Sequence, residues 1–230
     1  LELWEHTVIP LLDRLSSALT SWLGPMFGEG IRLAHDLDEV PALASVSSVP
    51  LSKVVGEMLT TSDNNTAELI LKEIGFSTRQ AGTREAGIAA VTELLTADGL
   101  SVDGFVMTDG SGLDRANRLS CRLLMEILGS DGGFGDIGNG LSVLGKVGTL
   151  RDVLIDSPAA GRLYAKTGTL TDVKTLSGFT RYSESLAVRF ALLLNGKGVS
   201  NQGVYRPIWT ALANALASVS ETPSPTQLAP

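Results

Sequence analysis

Apolar positions change their spacing along this chain. Trp4, Val8, Leu11, Leu12, Leu15, Leu19 and Trp22 recur at helical intervals over residues 4–23, with Pro10 interrupting or starting the helix and Gly24, Pro25, Gly28 and Gly30 closing it. After a loop to Pro50, the residues Leu51, Val54, Val55, Met58 and Leu59 mark a second helical face. A third helix is expected over Thr66–Ile74 with Gly75 as its C-cap, and a fourth over Arg84–Leu95, ending at Asp98-Gly99. Ser120 reads as the N-cap of another apolar helix starting at Cys121.

Near Gly129 the character changes. Residues 129–148 are rich in glycine and read as a loop crossing a surface. From Arg162 the pattern turns to strands: Leu163–Lys166, Thr175–Arg181 and Leu186–Leu194, with Asn195-Gly196 closing the last. A final helix spans Tyr205–Val219, and the Pro/Ser/Thr-rich end from Glu221 to Pro230 is expected to be disordered. Helices, an antiparallel meander and a returning helix predict an α+β fold, with a three-layer α/β/α arrangement. No internal repeat is present.

Composition narrows the function classes. The 230 residues allow one large domain or two small ones, and 43% hydrophobic with 19% charged content describes an ordinary globular protein. A net charge of −7 without any Lys/Arg cluster argues against nucleic acid as a partner and against a membrane-surface patch. The longest apolar run, Phe190–Leu194, has the length of a buried strand and is far too short to span a bilayer. The lone cysteine, Cys121, excludes an internal disulfide and is expected to be buried and inert. Leu1 carries no initiator methionine, basic stretch or cleavage site, as expected of a chain whose upstream portion is missing.

Two short motifs carry chemistry. Ser62-Asp63-Asn64 could simply start the helix that follows, since all three residue types favour N-caps. Its functional reading puts the Ser62 hydroxyl at a helix–helix junction, where it relays a proton to a leaving amine, with Asn64 binding a substrate amide. Lys166-Thr167-Gly168 could be a surface edge with a turn glycine. The same features suit peptide binding: an edge strand offers backbone groups, Gly168 permits close approach, Lys166 brings a positive charge for a carboxylate, and Thr167 or Thr169 a hydroxyl.

Rival motifs fare worse. Gly140–Lys146 fits G-x-x-x-x-G-K, but Val147 stands where a magnesium-binding Ser or Thr belongs. Gly133–Gly138 fits G-x-G-x-x-G without a strand–turn–helix setting, and Ser111 fails as a nucleophile elbow because Asp109 and Leu113 hold the outer positions. His6 and His35 are the only histidines, which makes a Ser–His–Asp triad or a histidine-rich metal site improbable; His35 reads as a solvated loop residue.

S-D-N followed by K-T-G is a pairing shared by penicillin-binding proteins and serine β-lactamases, whose third motif, S-x-x-K, carries the nucleophile. Ser62–Leu69 (S-D-N-N-T-A-E-L), Asp109–Ser120 (D-G-S-G-L-D-R-A-N-R-L-S) and Ala159–Thr171 (A-A-G-R-L-Y-A-K-T-G-T-L-T) resemble segments of the D-alanyl-D-alanine carboxypeptidase/endopeptidases of the penicillin-binding protein 4 type, the low-molecular-mass class C group. The likeness extends over about Ala44–Gly196. The resemblance implies a transpeptidase-like domain, incomplete on its N-terminal side, over residues 41–219, with residues 1–40 ending an inserted region or returning into the domain and 220–230 a tail.

In such an enzyme a serine of S-x-x-K forms an acyl-enzyme with peptidoglycan stem peptides ending in D-Ala-D-Ala, β-lactams acylate the same serine, and no cofactor takes part. The resemblance implies that Ser62, Asn64 and Lys166 are catalytic, that Thr167, Gly168 and Thr169 line the substrate, and that the protein works outside the cytoplasm. The chain departs from the pattern in two places. None of its lysines has a serine three residues earlier: those positions are Pro50, Leu69, Val143, Leu163, Thr171 and Leu194. Val147 also replaces an acidic residue that usually precedes G-T-L. A β-lactamase is a weaker reading, because the E-x-x-L-N segment of class A enzymes is absent, whereas a non-catalytic descendant that binds cell-wall peptide or a partner protein fits the missing nucleophile.

Overall fold

Helix α1 (Leu51–Thr61) begins directly after Pro50 and turns its Val54, Val55, Met58 and Leu59 face inward. The computed structural model describes residues 49–219. The helix expected over residues 4–23, the return segment 1–40, both histidines and the tail from 220 lie outside the described residues. Asp63 caps helix α2 (Asn64–Arg79), accepting from Asn65 N at 2.9 Å and Thr66 N at 3.2 Å. Thr83 does the same for helix α3 (Arg84–Ala97) through Ala86 N at 3.2 Å.

Gly75 is not the C-cap that its position suggested. Helix α2 runs on to Arg79 and ends on Gln80 in the left-handed region (φ 54°). Gly75 is buried inside the helix because α3 crosses there: a Cβ on Gly75 would stand 2.6 Å from Gly87 N. Ser120 caps helix α4 (Cys121–Asp131) as expected, accepting from Leu123 N at 3.0 Å. Cys121, expected to be buried, is exposed, since Leu123 and Leu128 take the inward face of that helix.

The glycine-rich stretch is also not a surface loop. It folds into helix α5 (Asp136–Gly140), strand β1 (Ser142–Val143) and a 3₁₀ turn at Gly148–Leu150, and Gly133, Gly138, Gly140, Leu141 and Leu144 are buried. Its glycines serve close approach. At Gly140 a Cβ would come within 2.8 Å of the Gly56 Cα, so α1 and α5 meet backbone to backbone. The Asp131 carboxylate gathers the segment by accepting from Ile137 N at 3.0 Å and Gly138 N at 2.8 Å.

Strands β2 (Leu163–Leu170), β3 (Val173–Arg181) and β4 (Ala187–Asn195) complete an antiparallel sheet in the order β1-β2-β3-β4. Leu163, Ala165, Leu176 and Phe190 face helix α6 (Gln202–Ser218), packing on Trp209, Ala213 and Leu216. Phe179 and Tyr164 face the other way, onto Leu128 of α4 and Leu141. Helices α1–α5, the sheet and α6 are thus three layers, as the hydrophobic pattern predicted. Among the described residues no helix is long and apolar enough to cross a membrane.

The Gly75–Gly87 crossing gives a direct check. Gly75→Ala is expected to destabilise the chain by about 1–3 kcal/mol through overpacking, read as a lowered urea midpoint with an unchanged slope.

Candidate active site

Ser62 stands between α1 and α2 in a conformation that few side chains adopt. It closes α1 with φ 61° and ψ 48°, and Asp63 then opens α2 in extended geometry. Left-handed backbone costs roughly 1–2 kcal/mol for a residue with a Cβ, and such strain gathers at functional positions. Within the S-D-N triplet Asp63 is thus the helix cap, and Ser62 lies at the junction between α1 and α2. The hydrogen bonds from Thr66 hold the Asp63 carboxyl below its usual range.

Across from this junction lies β2. Strand alternation sends Leu163 and Ala165 into the α6 core and Lys166 to the opposite face, toward the helices. There Lys166 Nζ donates to Ser62 Oγ at 2.6 Å and to the Thr167 carbonyl at 2.9 Å. Burial pushes the Lys166 ammonium below the usual lysine value. Asn64, in contrast, is exposed on the first turn of α2 and does not join this cluster.

β1 pairs only with Tyr164 and Ala165, so β2 has no strand on that side from Lys166 to Leu170 among the described residues. The Leu163 carbonyl accepts from Leu144 N at 2.9 Å, toward β1. By the alternation of an antiparallel ladder, Thr167 and Thr169 aim their backbone groups the same way, out of the open edge. Gly168 is needed by the sheet itself, because a side chain there would collide with Thr175 Oγ1 on β3.

Residues to which the motifs assigned no role hold this frame together. The Glu68 carboxylate accepts from Gly110 N and Ser111 N, both at 3.0 Å, and from Ser111 Oγ at 2.8 Å, while its other oxygen meets Arg84 at 3.1 Å. Burial opposes the charge on Glu68, but the hydrogen bonds from Ser111 and Arg84 outweigh it and lower the carboxyl pKa. Asp109 closes the same loop by accepting from Gly112 N at 2.7 Å, Asp114 N at 2.6 Å and Asn117 Nδ2 at 2.9 Å. Arg115 then reaches the Thr171 carbonyl at 2.9 Å, tying the loop to the β2–β3 turn. On the other side, fully buried Ser142 donates to the Thr60 carbonyl at 3.0 Å and contacts Thr149 Oγ1 at 3.1 Å, which in turn meets Thr167 Oγ1 at 3.1 Å. Polar side chains spaced through a loop were the available signal; the distant partners of Glu68, Arg115 and Ser142, between 42 and 82 residues away, were not.

Between the Asp109–Leu119 loop and the helix-side face of the sheet lies a cleft of about 730 Å³, lined by Phe105, Met107, Leu124, Leu170, Val173 and Leu193 among others.

The junction serine, the half-buried lysine on an open strand and the three-layer frame belong to the fold of penicillin-binding protein 4. Penicillin-binding protein 4 (dacB) from Haemophilus influenzae superposes with a TM-score of 0.64 at 24% identity, covering 72% of this chain and 40% of that one. The Bd0816 predatory endopeptidase from Bdellovibrio bacteriovorus superposes with a TM-score of 0.56 at 22% identity, covering 77% of this chain and 48% of that one. Residues 12–218 match the D-Ala-D-Ala carboxypeptidase 3 (S13) family, and the chain belongs to that family. It is 33% identical over 169 residues to the D-alanyl-D-alanine carboxypeptidase of Actinomadura sp. (strain R39), and 32% identical over 165 residues to the carboxypeptidase DacB of Mycolicibacterium smegmatis. Those alignments cover 70% and 68% of this chain but only 31% and 36% of the relatives, so the chain spans about a third of their length.

Two outcomes are expected from this geometry. Glu68→Ala leaves the Gly110 and Ser111 amides without their acceptor, at roughly 1 kcal/mol or more, and amide hydrogen exchange should accelerate at those two positions first. Lys166 should lose its proton below the usual lysine value, followed through its Cε shift in ¹³C-lysine-labelled protein. Because the unfolded chain keeps that proton up to about pH 10.5, burial of Lys166 opposes folding at neutral pH, and this cost fades as pH rises through the lowered folded value.

Proposed function

We propose that the chain forms the S-D-N and K-T-G walls of a serine-type D-Ala-D-Ala carboxypeptidase site that acts on peptidoglycan stem peptides in the extracytoplasmic space. The observation that carries this reading is the 2.6 Å bond from Lys166 Nζ to Ser62 Oγ beside an open strand edge. Lysine only donates while charged, so it fills an acceptor site on Ser62 and leaves the hydroxyl proton free. That proton is then placed for transfer to the departing D-alanine amine. The ammonium adds a positive field for the substrate's terminal carboxylate.

In this reading an extended peptide lies along β2, hydrogen-bonding the outward backbone groups of Thr167 and Thr169, while Gly168 keeps the strand flat against β3. Asn64, at the solvent side of the junction, holds the substrate's peptide group. The attacking serine and its lysine come from an S-x-x-K segment, which the 230 residues do not contain. Attack on the carbonyl between the two D-alanines gives an acyl-enzyme and free D-alanine, and water then releases the shortened peptide. β-Lactams present a strained amide to the same serine.

A second reading of the same surface, in which the stem peptide is bound without being cut, needs only the Ser62–Lys166 pair and the open β2 edge. Both readings expect a tripeptide ending in D-Ala-D-Ala to bind, with Lys166→Met weakening it by about tenfold, or ~1.4 kcal/mol. Alone, the 230-residue chain should neither release D-alanine nor keep a fluorescent penicillin through denaturing electrophoresis. Stable labelling at Ser62 or Ser111 would sink the assignment of the nucleophile to another segment, and failure to bind the tripeptide would sink both readings.

A further inference from the structure

Lys174 is a buried cation that the mechanism above leaves unused. It stands opposite Thr169 in the β2–β3 register, on the α6 side of the sheet, and only 8% of its surface is exposed. Its Nζ lies 4.5 Å from the centre of the Tyr205 ring and 4.9 Å from that of Trp209, and it donates to Thr169 Oγ1 at 2.6 Å. No carboxylate pairs with it among the described residues. Burial lowers its pKa, an effect that Arg206 reinforces and Tyr205 opposes. Two aromatic faces partly replace water around an ammonium, but packing alone would be better served by an apolar side chain of the same length.

The hydroxyls on this side of β2 differ in polarity. Ser142 spends its single proton on the Thr60 carbonyl, which can only accept. The proton in the Ser142–Thr149 contact must then come from Thr149, and the one in the Thr149–Thr167 contact from Thr167. Thr167 is left offering lone pairs at the edge. Thr169 is the reverse: it accepts from Lys174, stands exposed on the open strand, and its own proton has no acceptor among the described residues.

We propose that Lys174 is a positioning residue for carboxylate recognition, acting through Thr169: it fixes the Thr169 hydroxyl as a donor and places a second positive charge behind it, so that a peptide is selected for a free C-terminal carboxylate. The proposal rests on the stem-peptide reading above. Lys166 supplies charge from one face of β2 and Lys174 from the other, and the ligand's C-terminus meets the Thr169 proton at the edge between them.

The test compares a tripeptide ending in D-Ala-D-Ala as free acid and as C-terminal amide, titrated calorimetrically into the full chain. The wild-type chain is expected to prefer the acid. Lys174→Met should lower acid affinity about tenfold while amide affinity stays within about twofold. Lys174→Arg should restore most of the preference, and in a Thr169→Val background Lys174→Met should change nothing further. A folded Lys174→Met chain with the wild-type acid/amide ratio overturns the proposal and leaves the stem-peptide reading standing. Wild-type binding of neither peptide overturns both. If circular dichroism shows Lys174→Met unfolded, Thr169→Val decides alone, since that side chain is exposed: an unchanged ratio overturns the proposal.

Discussion

Strand β2 tolerates only one register, and the rest of the architecture follows from it. Its residues alternate between two demands: Leu163 and Ala165 close the core against α6, while Lys166 must arrive at the helical layer. A slip of one residue would press the Lys166 ammonium into the apolar core and turn two core residues toward Ser62. The sheet therefore ties burial to chemistry, because the hydrophobic effect that seats Leu163 also aims Lys166. Thr167 and Thr169 inherit the same alternation, which sends their side chains to the α6 face and their backbone groups out of the edge.

Around that strand, fixed charges do the work of fixing loops. Glu68 is one turn inside α2, yet it accepts three hydrogen bonds from Gly110 and Ser111 and so sets where the Asp109–Asn117 loop sits. Arg115 then carries the arrangement to the β2–β3 turn. Ser142 performs the equivalent task on the other side through Thr60, Thr149 and Thr167. The links made by Glu68 and Ser142 are shielded in part from solvent, which makes the segments they hold costly to displace. The residues flanking the S-D-N and K-T-G motifs are in this sense structural: they hold Ser62 and Lys166 in one place from opposite sides.

The fold was legible where a single element decides its own shape. Strand alternation, the Ser120 cap, the helix start at the S-D-N triplet and the apolar helical faces all lie within a few residues of the structure they predict. The glycines were misjudged for a physical reason. A C-cap, a surface loop and a close helix crossing all ask for glycine, and only the partner chain segment tells them apart: Gly87 for Gly75, Gly56 for Gly140. Cys121 was misplaced because helix phase, set by Leu123 and Leu128, outweighs the thiol's general preference for burial. The pairing of Ser62 with Lys166 could be read only through resemblance, since spacing along the chain says nothing of a contact across the fold.

Ser62 and Lys166 are 104 residues apart in sequence, whereas β2, β3 and β4 follow one another as adjacent hairpins. Closing a loop of that length costs roughly 4 kcal/mol of chain entropy beyond the constant term, more than the 1.5–3 kcal/mol typical of a charged hydrogen bond. The bond between them thus cannot offset that cost alone; packing of the helical layer on the sheet supplies the rest. Contact order alone favours the local meander over the distant pairing of Ser62 with Lys166.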